Sequence, residues 1–169
     1  MIVGSSVRQR GEWSEAADTI TLDEEMRHRR RMAMVSDGGI AFLLDLPEAR
    51  LLLDGDAIEL DDGRLVAVKA KPEELYAVSA ESPRALLALA WQIGNRHLPA
   101  AMGEGTILIR RDRVIRDMLE GLGGRVEEVE AVFDPEGGAY AGASLAGHGH
   151  ARSHDHGHHH HHGHDHDHD

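Results

Sequence analysis

Cysteine is absent from this 169-residue chain, and aromatic residues make up only 4% of it. The first absence excludes disulfide staples, Cys-rich zinc sites, iron–sulfur ligation and thiolate nucleophiles. The second means that any core must be aliphatic, and that two Phe, two Tyr and two Trp are too few to line an aromatic peptide pocket. Positive charge is also scarce, with 18 Lys and Arg against 30 Asp and Glu, a formal charge of −12 with His neutral. Nucleic acid is therefore not an expected partner, since phosphate binding needs a basic surface. The longest apolar run, Ala85 to Trp91, is seven residues, far short of the roughly 20 that a membrane span requires. The start, Met1-Ile2-Val3-Gly4, has neither a basic segment nor a long apolar one, so a cytoplasmic protein with no membrane partner is expected. No GxxxxGK[ST] stretch occurs, so this chain does not hydrolyse nucleotides through a P-loop.

What is present falls into three parts. Up to about residue 72 short strands are expected at Thr19–Leu22, Arg29–Val35, Ile40–Leu46, Ala57–Leu60 and Leu65–Ala70. Asp37-Gly38-Gly39, Asp54-Gly55 and Asp61-Asp62-Gly63 lie between them as turn signals that favour hairpins. That spacing suggests an all-β sandwich or small barrel for residues 1–73. After Pro72 the period changes. Leu75–Ala80 reads as a strand, and Ser82-Pro83 as a helix start. Leu86, Leu89, Ala90 and Ile93 form one apolar helix face ending near Gly94. A short strand near Leu98–Met102, a strand at Thr106–Arg110, and a helix capped by Asp112 with Ile115, Met118, Leu119 and Leu122 inside come next. Gly123-Gly124 stops that helix, and Arg125–Phe133 is the last strand. This order over residues 74–136 is the βαββαβ pattern of a ferredoxin-like α+β domain. Residues 137–169 begin as a Gly- and Ala-rich linker and end in a tail with nothing apolar to bury, expected to be disordered without a ligand.

The chain has 14 His, and twelve of them crowd into the last 22 residues: His148, His150, His154, His156, His158, His159, His160, His161, His162, His164, His166 and His168. Neutral imidazole is a ligand for borderline ions such as nickel(II), zinc(II) and copper(II). Interspersed Gly gives backbone freedom, and four Asp add oxygen ligands and negative charge. The interspersed His-Asp and His-Gly pairs differ from a uniform expression tag. Such a tract collects metal without selecting it, and affinity order alone favours copper over nickel or zinc. A coil of 22 residues spans about 25 Å, enough to hand an ion to a site on the body. Because only neutral imidazole binds, uptake should weaken as pH falls through about 6.5.

Two His remain in the body, His28 and His97. His97 follows the first helix of the second part, where a cation suits the helix dipole. By spacing alone it is a surface or helix-end residue, and one imidazole does not hold a divalent ion. Near the axis of a two-fold dimer the same residue appears twice and forms a symmetric His pair.

The segment Trp91-Gln92-Ile93-Gly94-Asn95-Arg96-His97-Leu98-Pro99 resembles the Gly-Asn-Arg-His signature of the urease accessory protein UreE family. The resemblance extends over essentially the whole chain. It includes the Arg-rich segment Arg27 and Arg29 to Arg31, the Asp37-Gly38 turn, Leu51-Leu52-Leu53-Asp54-Gly55-Asp56, Asp112 with Met118-Leu119, and the His-rich tail. It implies a β-rich, peptide-binding-like first domain and a ferredoxin-like metal-binding second domain. It implies a homodimer in which His97 of both chains holds one nickel ion. It also implies delivery to the urease apoprotein through the urease accessory GTPase. One feature departs from the family pattern: positions flanking Asp112, which some members fill with His, are Arg111 and Arg113 here. Guanidinium donates hydrogen bonds and does not coordinate metal, so no further metal site is expected there.

The remaining motifs read as structure. Arg27-His28-Arg29-Arg30-Arg31 is expected to be a solvated strand face, with a docking patch for an acidic partner as the alternative. Met26, Met32 and Met34 alternate as core packing. Asp54-Gly55-Asp56 and Asp61-Asp62-Gly63 lack the ligand spacing of a calcium loop. With no Cys and few body His, a nucleophile–base site is poorly supplied, so no enzyme activity is expected. A storage or buffering protein that works through the tail, and a prolyl isomerase or folding chaperone, are the competing readings.

Overall fold

The computed structural model describes residues 1–137, so the tail histidines lie outside the described residues. The first domain is a six-stranded sheet. In chain order its strands are β1 (Val3–Arg8), β2 (Asp18–Leu22), β3 (Arg31–Val35), β4 (Ala41–Asp45), β5 (Ala57–Leu60) and β6 (Leu65–Ala70), with a short helix α1 (Glu24–Arg27) after β2. Their spatial order is β2-β6-β5-β1-β4-β3. The β3–β4 and β5–β6 pairs are antiparallel hairpins across the Asp37 and Asp61 turns, as expected. Asp54-Gly55 is a turn but not a hairpin, because β1 lies between β4 and β5, parallel to the first and antiparallel to the second. With β2 parallel to β6, the sheet is mixed, which hairpin signals alone do not foresee.

Curling brings the two ends of this sheet together. The Asp37 N–H donates to the Thr19 carbonyl at 2.8 Å. Its carboxylate accepts the hydroxyls of Thr19 (2.7 Å) and Thr21 (2.9 Å) and the Thr21 N–H (3.2 Å). Asp18 reciprocates from β2, accepting the Ser36 hydroxyl, its neighbour Thr19 N–H at 2.7 Å and the Gly38 N–H at 2.8 Å. A Cβ on Gly38 would lie 2.6 Å from the Asp18 carboxylate, so glycine is required where the two edges meet. The result is a β-rich half-barrel. Its inside is filled by Ile20, Met34, Phe42, Leu44, Ile58, Leu60, Val66 and Val68, with Met26 and Met32 packed against them. Met32 and Met34 face the core from alternate positions of β3, as expected, while Met26 reaches it from α1 and not from a strand.

The second domain has β7 (Glu73–Ser79), α2 (Pro83–Asn95), β8 (Ala100–Met102), β9 (Ile107–Arg110), α3 (Arg113–Gly121) and β10 (Arg125–Ala131). The sheet order β10-β7-β9-β8, with every neighbour antiparallel, is the ferredoxin-like arrangement expected from the element order. Both helix starts are where the caps place them. The Ser82 hydroxyl accepts from the Ala85 N–H at 3.1 Å with Pro83 in the first turn, and Asp112 accepts from the Ile115 N–H at 3.1 Å. Each such cap is worth about 1 kcal/mol. Leu89, Ile93 and Leu119 are buried against Val78, Ile107 and Ile109. Leu122 is the exception among the expected core residues: it caps α3 and is exposed. No helix among the described residues is long and apolar enough to cross a membrane.

Two elements were not foreseen. In β1, Val3-Gly4-Ser5-Ser6-Val7-Arg8, only Gly4 is buried, so no apolar alternation marks it. In the Arg-rich run, Arg27 closes α1 and His28 caps it, so the strand starts at Arg31 rather than Arg29. The run is not one solvated strand face. Arg27 is fully buried while Arg29, Arg30 and Arg31 are exposed. Arg29 and Arg31 pair with Glu25 at 2.9 Å and Asp45 at 3.3 Å.

Candidate metal centre

The residues around His97 follow from how α2 stops. The His97 N–H donates to the Gly94 carbonyl at 3.0 Å and the Leu98 N–H reaches the Ile93 carbonyl at 3.4 Å. This two-bond ending requires a left-handed residue just past the cap, and His97 takes it with φ 56°. It is the one non-glycine residue with positive φ among those described. Glycine is the usual occupant, because a Cβ in this conformation crowds the following carbonyl, at a cost of roughly 1–2 kcal/mol. An unfavourable backbone state held by a functional-type side chain points to a role for that side chain.

The turn leaves His97 exposed. Among the described residues no hydrogen bond or ion pair engages its imidazole. The carbonyl end of α2 lies beside it, and this negative dipole end favours positive charge, including that of a bound cation. On the outward face of α2, Leu87 and Trp91 stand one turn apart, 71% and 70% exposed. Met102 of the edge strand β8 is also exposed. Large apolar side chains left in water on the outward face of α2 make that face a surface suited to a protein contact.

Within one chain the centre is incomplete: among the described residues no group of three or more His, Cys, Asp or Glu is placed to hold a metal ion. His28, the other body histidine, is separate from this face, its Nδ1 3.8 Å from Glu24. Arg111 and Arg113 do not add ligands. Arg111 donates to the carbonyls of Leu75 (3.2 Å) and Val129 (3.1 Å) and lies near Glu74 and Glu128, so it ties the end of β9 to β7 and, beyond it, β10, and Arg113 is exposed.

Past β10 the chain crosses the end of the sheet, and the Glu136 N–H donates to the carbonyl of Ala100 at 2.8 Å. Ala100 is three residues after His97, at most about 11 Å of chain. The segment that carries the twelve tail histidines is thus rooted beside the strand that follows His97, a placement that sequence spacing did not disclose.

Comparison with known proteins finds matches over nearly the whole chain. Residues 2–71 match the family model described as UreE urease accessory protein, N-terminal domain, and residues 73–168 match that of its C-terminal domain. The urease accessory protein UreE of Chelativorans sp. (strain BNC1) is 62% identical over 148 residues, covering 88% of this chain and 92% of that protein. The UreE of Rhodopseudomonas palustris (strain HaA2) is 54% identical over 144 residues, 85% of this chain and 67% of the relative. That of Beijerinckia indica is 47% identical over 149 residues, 88% and 86% of the two chains. With both halves matched in order and the signature around His97 in place at the end of α2, the chain belongs to the urease accessory protein UreE family.

Proposed function

We propose that this urease accessory protein is a nickel metallochaperone, not an enzyme. The observation that carries the reading is the exposed His97, held in the left-handed stop of α2, the helix whose outward face also leaves Leu87 and Trp91 exposed. Two copies joined through that face form a homodimer in which paired His97 side chains hold one nickel(II) ion. Two imidazoles leave coordination positions open, so the ion is bound and also surrendered. Zinc(II) or copper(II) enters the same ligand set in vitro, since imidazole suits all three ions and affinity order does not exclude the other two.

The tail collects. His148, His150, His154, His156, His158 to His162, His164, His166 and His168 bind several ions and supply the interfacial pair. From Gly137 to His148 the covalent reach is at most about 36–40 Å, and the root beside Ala100 supports transfer within one molecule. In this reading residues 1–73 are the peptide-binding-like domain, 74–136 the metal-binding domain and 137–169 the linker and tail. The work is done in the cytoplasm, where nickel passes to the urease apoprotein complex through the urease accessory GTPase, with no nucleic acid involved.

A calorimetric nickel titration of residues 1–147 beside its His97→Ala variant tests the reading. One ion per two chains, lost on substitution, is the expected result. No binding to the body in either form would move the metal chemistry into the tail and make the protein a store.

A further inference from the structure

Among the described residues the most deeply buried charge is that of Arg27. Arg27, the last residue of α1, is 0% exposed, yet its guanidinium is in contact with chain from the opposite end of the protein. It donates to the Phe133 carbonyl at 2.7 Å, to the Asp134 carboxylate at 2.6 Å and to the Leu52 carbonyl at 2.9 Å. Leu52 belongs to the first domain; Phe133 and Asp134 follow β10 in the second. The joint has a second layer. Glu24 of α1 pairs with Arg110 at the end of β9, and the Glu24 N–H donates to Glu73 at the start of β7 at 3.0 Å. Arg110 in turn lies 5.2 Å above the ring of Phe133, which is itself fully buried.

The local sequence makes this segment stiff. Pro135 fixes its own φ and keeps Asp134 extended, and Glu136 is tied to Ala100. Between β6 and β7 the only connecting residues are Lys71 and Pro72, so orientation is set by what spans the gap. The latch is strong only while closed. A buried guanidinium deprived of its carboxylate and carbonyls would be an uncompensated charge. Even when closed, Arg27 Nε has no partner among the described residues, and Asp134 is 42% exposed.

We propose that residues 132–136 are an interdomain latch, bolted by the buried Arg27, that fixes the β-rich domain against the ferredoxin-like domain and sets where the His-rich segment leaves the body. Because the latch lies between β10 and that segment, a pull on the segment acts on the Glu136–Ala100 bond and then on the Arg27 contacts, and releasing them loosens the first domain against the second.

The test is ¹⁵N relaxation and amide hydrogen exchange on the full chain and on its Phe133→Ala/Asp134→Ala double variant. In the unaltered protein both domains are expected to tumble with one correlation time. In the variant the first domain should tumble faster than the second. Exchange at Leu52 and Glu136 should rise about tenfold or more while core amides of Leu44 and Ile109 keep their protection. If the double variant unfolds, Asp134→Asn, which keeps an acceptor and removes the charge, is measured for the same separation. Domains that stay locked in a folded variant, or that already tumble independently in the unaltered chain, would overturn the latch.

Discussion

The N–H of His97 donates to the carbonyl of Gly94 at 3.0 Å while His97 itself holds φ 56°, so the signature histidine occupies the backbone slot where a helix stop favours glycine. Function and stability should therefore separate at this position. His97→Gly is expected to raise stability by about 1 kcal/mol, or about 2–4 °C in melting temperature for a protein of this size, and to abolish the body's nickel binding. His97→Ala should lose the metal without the gain, because Ala keeps the Cβ. Thermal melts beside titrations of both variants check this; a destabilised His97→Gly would mean that the left-handed turn is unstrained.

The apolar face gives a second expectation. Trp91 is 70% exposed in the single chain, so Trp91→Glu should leave the fold intact and place a charge where two copies meet. If the proposed dimer forms through this face, sedimentation should show dimers for the unaltered protein and monomers for the variant, and the nickel affinity of the body should fall at least tenfold. A dimeric Trp91→Glu would place the interface elsewhere.

Acid should act first on the closure of the half-barrel. The Thr19 hydroxyl, then that of Thr21, holds the Asp37 carboxyl below its ordinary range. The Ser36 hydroxyl, then the Thr19 N–H, does the same for Asp18. A carboxyl lowered in the folded state contributes stability that is fully present above the ordinary carboxylate value, near pH 4, and is lost as pH falls through the lowered value. Asp37→Ala should therefore melt below the unaltered protein at pH 7, and the gap should shrink as pH falls below about 4. A gap independent of pH over that window would assign the loss to packing instead.

Two glycines of one helix end should respond with opposite signs. A Cβ on Gly124 would meet Leu89 Cδ1 at 2.8 Å and the Leu119 carbonyl oxygen at 2.9 Å; the latter is backbone and cannot swing aside. Gly124→Ala should cost about 1–3 kcal/mol by overpacking. Gly121, the last residue of α3, has open space around its missing Cβ. There Ala should stabilise by about 0.4–1 kcal/mol, through reduced freedom of the unfolded chain. Denaturant midpoints of the two variants distinguish the cases.

Residue pattern alone determined a good deal of this protein. The caps Ser82 and Asp112, the apolar face of α2, the β5 and β6 strands, the βαββαβ order and the family signature at His97 are local or periodic features. A local feature is legible because its partners lie within one turn or one strand. Tertiary structure decided the rest. β1 is a strand because β4 and β5 offer backbone partners on both sides, not because its side chains alternate. Asp37 closes the half-barrel through Thr19, eighteen positions away. Arg27 reads as a surface cation until Leu52, Phe133 and Asp134 converge on it from 25 to 107 residues along the chain. The desolvation cost of a guanidinium is offset only by acceptors that folding gathers, and no spacing in the sequence records which acceptors those are.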